Sequence, residues 1–312
     1  MSYRVLVSAP YFQPVVKRFA EVFKENRIET FIAPVEERLS VEQLLPLVGD
    51  IHGTICGDDA YTDEVLACAQ NLRVISKWGT GIDSIDLESC RKRGIVVCNT
   101  PNAFTEPVAD TTLGYILMHV RGLKVLDDYM KAGEWQKQEG RSLSECVVGI
   151  IGLGNIGRAV ARRLSSFKAH ILGNDLIFPP KSFCQDYGME MVSKDELLQR
   201  SDVVTLHCDL NPTSYHIIDT AALKDLKPSA FLINTARGKL IDELSLIRAL
   251  QEKQLAGAAL DVFENEPLLK ESPLRVMPQV LLSPHSSNSS HKAWEIIHQK
   301  TVENLLQYLR KV

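Results

Sequence analysis

The run from Cys146 to Ser165 constrains this chain more tightly than any other part of it. An apolar stretch, Cys146-Val-Val-Gly-Ile-Ile151, leads at once into Gly152-Leu-Gly-Asn-Ile-Gly157, and a helix-forming segment follows. That order reads as strand, glycine turn and helix, the opening of a dinucleotide-binding βαβ unit. Gly152 permits the tight turn, Gly154 lets backbone approach a pyrophosphate, and Gly157 lets helix touch strand; Asn155 and Ile156 complete the loop. The helix start turns unpaired N–H groups and a positive dipole end toward phosphates. A second strand, from Ala169 to Asn174, ends in Asp175, 23 residues after Gly152. A carboxylate there binds a ribose 2′-hydroxyl and repels a 2′-phosphate, which points to NAD rather than NADP as cofactor.

The rest of the chain alternates in the same way. Strands are expected at Arg4–Ser8, Glu29–Ala33, Gly53–Cys56, Arg73–Lys77 and Ile95–Cys98. Helices are expected between them at Val15–Lys24 (Val16, Phe19, Ala20 and Phe23 on one face), Val41–Leu47, Glu64–Ala69 and Leu87–Arg93. Thr105 to about Lys131 reads as one long helix, capped by Thr105 and interrupted late by Gly122 and Gly133. Gln136–Glu145 reads as an exposed connection. Further strands follow at Val147–Ile151, Val203–Leu206, Ala230–Asn234, Ala258–Val262 and Val280–Leu282. Ala293–Leu309 closes the chain as an amphipathic helix with Ile296, Ile297, Leu305, Leu306 and Leu309 at helical spacing. Such alternation predicts an α/β protein with doubly wound parallel sheets. At 312 residues, two domains are the natural expectation.

The bulk chemistry excludes several functions. Charged residues make up 24% and the formal net charge is -4, so neither nucleic acid nor an anionic membrane is an expected partner. No stretch approaches the roughly 18 apolar residues that span a bilayer, and the N-terminus lacks the apolar region of a signal peptide. Seven scattered cysteines with no Cys-x-x-Cys pair suggest reduced thiols in the cytoplasm and no metal site. Asn288-Ser289-Ser290 is then a chance glycosylation sequon.

Three polar residues follow strands of the second series: Arg237 in Asn234-Thr-Ala-Arg-Gly238, Glu266 in Asp261-Val-Phe-Glu-Asn-Glu-Pro267, and His285 in Leu282-Ser-Pro-His285. In open α/β sheets ligands bind beyond the carboxyl ends of strands, where such residues converge. Reduction of a ketone needs a proton donor as hydride arrives, and histidine suits that task. A nearby carboxylate orients the ring and stabilises its charged form. A guanidinium grips a substrate carboxylate and polarises the adjacent carbonyl. Glu264, two residues before Glu266, is an equally visible acid.

In their order along the chain, Gly152–Gly157, Asn234–Gly238, Gly257–Pro267 and Ser283-Pro-His285 resemble the D-2-hydroxyacid dehydrogenases, nearest the phosphoglycerate, glyoxylate and hydroxypyruvate branch. The resemblance covers nearly the whole chain. It implies a Rossmann nucleotide domain at 103–285 and a flavodoxin-like substrate domain at 1–102, to which 286–312 returns. It implies that the chain is an NAD-dependent enzyme, with Arg237 as binder of the substrate carboxylate, His285 as acid/base and Glu266 as its partner. Trp78-Gly-Thr-Gly-Ile-Asp83 would hold the carboxylate by loop amides, through Gly79, Thr80 and Gly81, with Thr80 near the nicotinamide. Thr235, Ala236, Asp261 and Cys208 would line the cofactor. A homodimer through the nucleotide domain and a D-configured product are further implications.

Thr100-Pro-Asn102 and Gly79-Thr-Gly81 resemble phosphoglycerate dehydrogenase, and Lys77 stands where that branch commonly has a phosphate-binding arginine. The first-domain loop that usually adds a second arginine reads Cys56-Gly-Asp-Asp59, and Asp58 and Asp59 at a site mouth would repel a phosphomonoester. After the histidine, Ser286-Ser-Asn-Ser289 replaces an apolar residue and two small ones, which puts extra polar groups beside the nicotinamide or in a solvent-facing loop. The expected partner is therefore a small 2-keto or 2-hydroxy acid, phosphorylated or not. The alternatives are a non-catalytic NAD(H)-sensing binding protein on the same scaffold and a formate dehydrogenase, whose glutamine partner for histidine is not matched by Glu266.

Overall fold

In the computed structural model, which describes residues 2–310, the chain packs as two compact units. One comprises the residues up to Phe104 with those from Ser290 onward, and the other runs from Thr105 to Ser289. Several helix starts are set by side-chain caps, with Ser40, Asp86, Ser193, Asp219, Asp242 and Ser290 each accepting from a first-turn N–H.

The first unit is built on a five-stranded parallel sheet of β1 (Tyr3–Val7), β2 (Ile28–Ile32), β3 (Gly53–Cys56), β4 (Val74–Lys77) and β5 (Val96–Cys98). The order β2-β1-β3-β4-β5 is the flavodoxin-like arrangement, which reverses direction between β1 and β3. Every residue of β3 and β4 is buried, as strands covered on both faces must be. The closing helix, His291–Leu309, packs on these strands so tightly that a Cβ at Gly53 would meet Leu305 Cδ1 at 2.9 Å. Ser76 Oγ donates to Thr301 O of the same helix at 2.7 Å.

The second unit holds seven parallel strands: β6 (Val147–Ile151), β7 (His170–Asn174), β8 (Met189–Met191), β9 (Val203–Leu206), β10 (Phe231–Asn234), β11 (Gly257–Leu260) and β12 (Val280–Leu282). Their order, β8-β7-β6-β9-β10-β11-β12, is the Rossmann 3-2-1-4-5-6 pattern with one more strand at the edge. Two separate cores cover its faces. Helices Thr105–Val120 and Asn155–Ser166 supply one, with Ile116, Val160 and Leu164. Helices Lys194–Arg200, Thr220–Asp225 and Glu243–Gln251 supply the other, with Leu197, Leu223 and Leu246. The reversal between β6 and β9 opens the crevice that dinucleotides use in this topology.

Three local expectations are corrected. The expected helix at 105–131 is two helices, Thr105–Val120 and Leu123–Lys131, because Gly122 takes a left-handed conformation at φ 62°. Ala20 lies exposed, since the stretch before it winds as a tighter 3-10 turn, Gln13–Phe19, which rotates the apolar face. Ile296 is also exposed; the closing helix turns Ala293, Ile297, Val302, Leu305 and Leu309 inward.

Candidate active site

The glycine loop after β6 is shaped by main chain passing close behind it. Gly152 sits at φ 95°, and a Cβ there would lie 2.3 Å from the backbone nitrogen of Cys208. A Cβ at Gly157 would lie 2.0 Å from Gly152 O, so helix Asn155–Ser166 rests directly on the turn. Gly154 differs: nothing of the protein lies within 4 Å of a Cβ placed on it. Its small size is not required by the chain's own packing and fits the close approach of a ligand backbone. Gly154 is also the helix N-cap and supplies no side-chain cap, so the first-turn N–H groups are left for an anion.

Asp175 leaves the end of β7, where the backbone N–H of Leu153 donates to its Oδ2 and that of Ile177 to its Oδ1 at 2.8 Å. The acid is thereby held by the glycine loop itself. Asn155 and Ile156 open the helix beside it. On the other side His207 leaves β9, its N–H donating to Ile151 O at 2.7 Å and its Nε2 bonded to Thr205 Oγ1 at 2.9 Å. Burial pushes the His207 imidazole down to about 3, so the ring is neutral, and its buried Nδ1 has no partner. Burial likewise pushes the Cys208 thiol up to about 11, which keeps it uncharged. Glycine cradle, uncapped helix start and strand-end carboxylate together suit a dinucleotide.

The three polar candidates leave neighbouring strands at the carboxyl edge. Arg237 follows β10 in a loop braced by Asn234, whose Nδ2 donates to Arg237 O at 2.8 Å and whose Oδ1 accepts from Ala236 N at 3.0 Å. Thr235 is buried there, with its Oγ1 3.3 Å from Thr112 Oγ1. Gly238 is dictated by contact, since a Cβ would fall 1.9 Å from the carbonyl carbon of Phe263. The arginine loop thus lies directly on the loop that leads to Glu266.

Glu266 and His285 meet. His285 Nδ1 lies 3.1 Å from Glu266 Oε2, with both side chains mostly buried. A carboxylate oxygen accepts, so Nδ1 is the donor and Nε2 is the ring nitrogen that would exchange a proton. Phe263 N donates to the other Glu266 oxygen at 3.0 Å. His285 itself is left-handed, at φ 49°. That conformation is held by Asp261, whose carbonyl accepts from His285 N at 2.7 Å. The Asp261 carboxylate, fully buried, accepts from Ser286 N at 2.7 Å, from Ser287 N at 2.9 Å and from the Ser283 hydroxyl. Ser283 in turn meets Tyr115 Oη at 2.6 Å. Glu264 turns elsewhere, to His216 Nε2 at 2.9 Å, which separates two acids that residue spacing alone leaves equivalent. Of the run after the histidine, Ser287 is buried and Ser286 Oγ bonds Ser289 Oγ at 2.9 Å.

In the first unit, Lys77 ends β4 with 3% of its side chain exposed, and its Nζ pairs with Asp58 Oδ1 at 2.8 Å. Gly79 leaves room for that lysine, as a Cβ would touch Lys77 Cε at 3.3 Å. Thr80 Oγ1 donates to Thr100 O at 3.2 Å, and Thr100 N to Gly79 O at 3.0 Å, which ties the Gly79-Thr80-Gly81 turn to the residues after β5. Asp59 is a correction. It is wholly buried rather than at a mouth, bonded by Ser8 Oγ at 2.5 Å and Leu39 N at 2.7 Å, and burial pushes its carboxyl up. Asp261's role as an anchor and the His216–Glu264 pair carry no signal in the sequence, because each joins residues remote along the chain.

Similarity to known proteins covers the whole length. A sequence model of the D-isomer specific 2-hydroxyacid dehydrogenase NAD-binding domain matches residues 113–287. A glyoxylate reductase of Thermofilum pendens is 38% identical over 278 residues, 87% of this chain and 82% of that protein. A D-3-phosphoglycerate dehydrogenase of Methanocaldococcus jannaschii is 34% identical over 98% of this chain but only 57% of its own length. The crystal structure of an Aquifex aeolicus D-lactate dehydrogenase complexed with NAD and lactic acid superposes with a TM-score of 0.86 at 29% identity, covering 96% of this chain and 93% of that one. Among the described residues, no helix is long and apolar enough to cross a membrane.

Replacing Asp175 with alanine is expected to narrow the preference for NADH over NADPH, measured as the ratio of their dissociation constants. An unchanged ratio would place ribose recognition elsewhere.

Proposed function

This chain belongs to the D-isomer specific 2-hydroxyacid dehydrogenases, and we propose that it moves hydride between NAD(H) and C2 of a small, unphosphorylated D-2-hydroxy/2-keto acid. The observation that carries the chemistry is the Glu266–His285 pair, 3.1 Å apart on the loops that follow the two strands next to the Arg237 loop. Bound NADH supplies the hydride. Arg237 grips the substrate carboxylate and polarises the neighbouring carbonyl. His285 delivers a proton from Nε2 to the C2 oxygen during reduction and removes it during oxidation. Glu266 holds the ring through Nδ1 and stabilises its charged form. In this reading Thr80 and the amides of Gly79 and Gly81 are substrate-binding groups of the first unit, and Thr235, Ala236, Asp261 and Cys208 line the cofactor.

The substrate class rests on Lys77. Its charge is already met by Asp58, so a phosphate there would find no uncompensated cation and would face a like charge costing roughly a kcal/mol or more. Asp58 is better suited to accept hydrogen bonds from substrate hydroxyls. The glyoxylate reductases among the relatives support the same choice. The chain acts as a homodimer in this reading, through the nucleotide domain. Helix Leu123–Lys131 there buries no residue and exposes Leu123 and Met130, and Trp135 just beyond is 84% exposed.

Initial rates of NADH oxidation against glyoxylate, hydroxypyruvate, 3-phosphohydroxypyruvate, pyruvate and longer polyhydroxylated 2-keto acids test the substrate. The unphosphorylated acids are expected to lead, and Asp58→Ala to raise the relative rate with the phosphorylated compound. Preference of the unaltered enzyme for 3-phosphohydroxypyruvate would overturn this choice. His285→Ala is expected to lower turnover by a factor of roughly 10²–10⁴ with NADH affinity nearly unchanged. Normal turnover would remove His285 from its role. Light scattering after size exclusion is expected to give the dimer mass, and Trp135→Glu to lower it; a monomeric wild type contradicts the assembly.

A further inference from the structure

The catalytic histidine–glutamate pair has a second such pair close by in the fold, formed by His216 and Glu264. We propose that these two are positioning residues that fix the spacing between Arg237 and the Glu266–His285 pair. The inference rests on the roles just assigned to those three residues.

His216 lies on the segment after β9, in a left-handed conformation at φ 49°. Its ring stacks on that of Tyr215 with centroids 4.0 Å apart. Its backbone N–H donates to Lys239 O at 2.9 Å, and Ile218 N donates to Leu240 O at 3.1 Å. Those acceptors belong to the turn that begins with Arg237, since Leu240 N donates to Arg237 O at 3.2 Å. The main chain around His216 therefore holds the arginine turn from one side.

Its side chain reaches a different loop. A carboxylate only accepts, so His216 Nε2 donates to Glu264 Oε1 at 2.9 Å, and Glu243 N donates to the same oxygen at 3.1 Å. Glu264 returns the bond, its own N–H donating to Glu243 Oε2 at 3.2 Å. Glu243 begins helix Glu243–Gln251, so Glu264 satisfies a first-turn donor that the helix cannot. Phe263, one residue before Glu264, donates its N–H to Glu266 Oε1 at 3.0 Å and lies under Gly238.

The result is a cross-brace. His216 grasps the arginine turn by its backbone and the glutamate loop by its ring. The pair is partly exposed and of the kind that adds little stability by itself. Its location gives it another task. Arg237 fixes the substrate carboxylate and His285 addresses the carbonyl next to it, so their separation must match the spacing of two adjacent substrate groups. Misplacement by about 1 Å is enough to cost turnover heavily.

Steady-state NADH oxidation with the best 2-keto acid, beside NADH binding and thermal unfolding, tests this in Glu264→Ala, His216→Phe, their double variant and Glu264→Gln. His216→Phe keeps the stack on Tyr215 and removes only the bond. Each of Glu264→Ala and His216→Phe is expected to lower kcat about 10- to 100-fold, with NADH dissociation constant and Tm close to wild type. The double variant is expected to be no worse than the more impaired single one. Glu264→Gln, whose amide oxygen accepts both bonds, is expected to restore most of kcat. Wild-type kcat in both single variants, losses that multiply in the double variant, or a fall in NADH binding that parallels kcat would each overturn the proposal. His285→Ala separates the two levels: if it stays active, the catalytic assignment itself falls. If it is inactive while Glu264→Ala and His216→Phe are normal, only the cross-brace falls.

Discussion

The loops at the carboxyl edge of the seven-stranded sheet are packed main chain against main chain. At Gly152, Gly157 and Gly238 a single added carbon would collide with a neighbouring backbone at 2.3 Å or closer. No side chain lies between these loops to absorb error, so each inherits its position from the strand behind it and from the loop beside it. A rigid parallel sheet, buried on both faces, thus becomes the reference frame for the chemistry. Gly154 is the informative exception, a glycine whose missing side chain opens onto space that the protein does not fill.

Charge at that edge is divided between structure and reaction. Asp261 is buried and committed to three donors of the histidine loop, and Glu264 to His216 and a helix start. Glu266 is braced by one backbone N–H and directs its other oxygen to His285. In the other unit Asp59 is wholly internal, while Asp58 neutralises a buried lysine. A buried carboxylate survives only when donors surround it, so the committed acids double as the fasteners of the loops that carry the active groups.

Much of this was legible beforehand. The alternation of short apolar runs with amphipathic stretches marks a parallel α/β protein because each βαβ turn must bury its strand on both sides. The long helix at 105–131 failed as a single element because Gly122, noted as an interruption, takes a left-handed conformation that ends the first helix. Asp58 and Asp59 look alike in sequence, yet one lies against Lys77 and the other inside the core. Glu264 and Glu266 look alike too, and only the fold sends one to His216 and the other to His285.

By itself the sequence determined the sheet class, the glycine cradle with Asp175 behind it, and the residue types at the strand ends. These depend on local periodicity, turn sterics and short-range spacing, which a linear chain displays directly. That Glu264 meets His216, that Lys77 is already paired, and that His216 bridges two loops were decided only by the tertiary structure. Such contacts join residues 19 to 48 positions apart, and the separation on which they depend is set by strand order rather than by chain order.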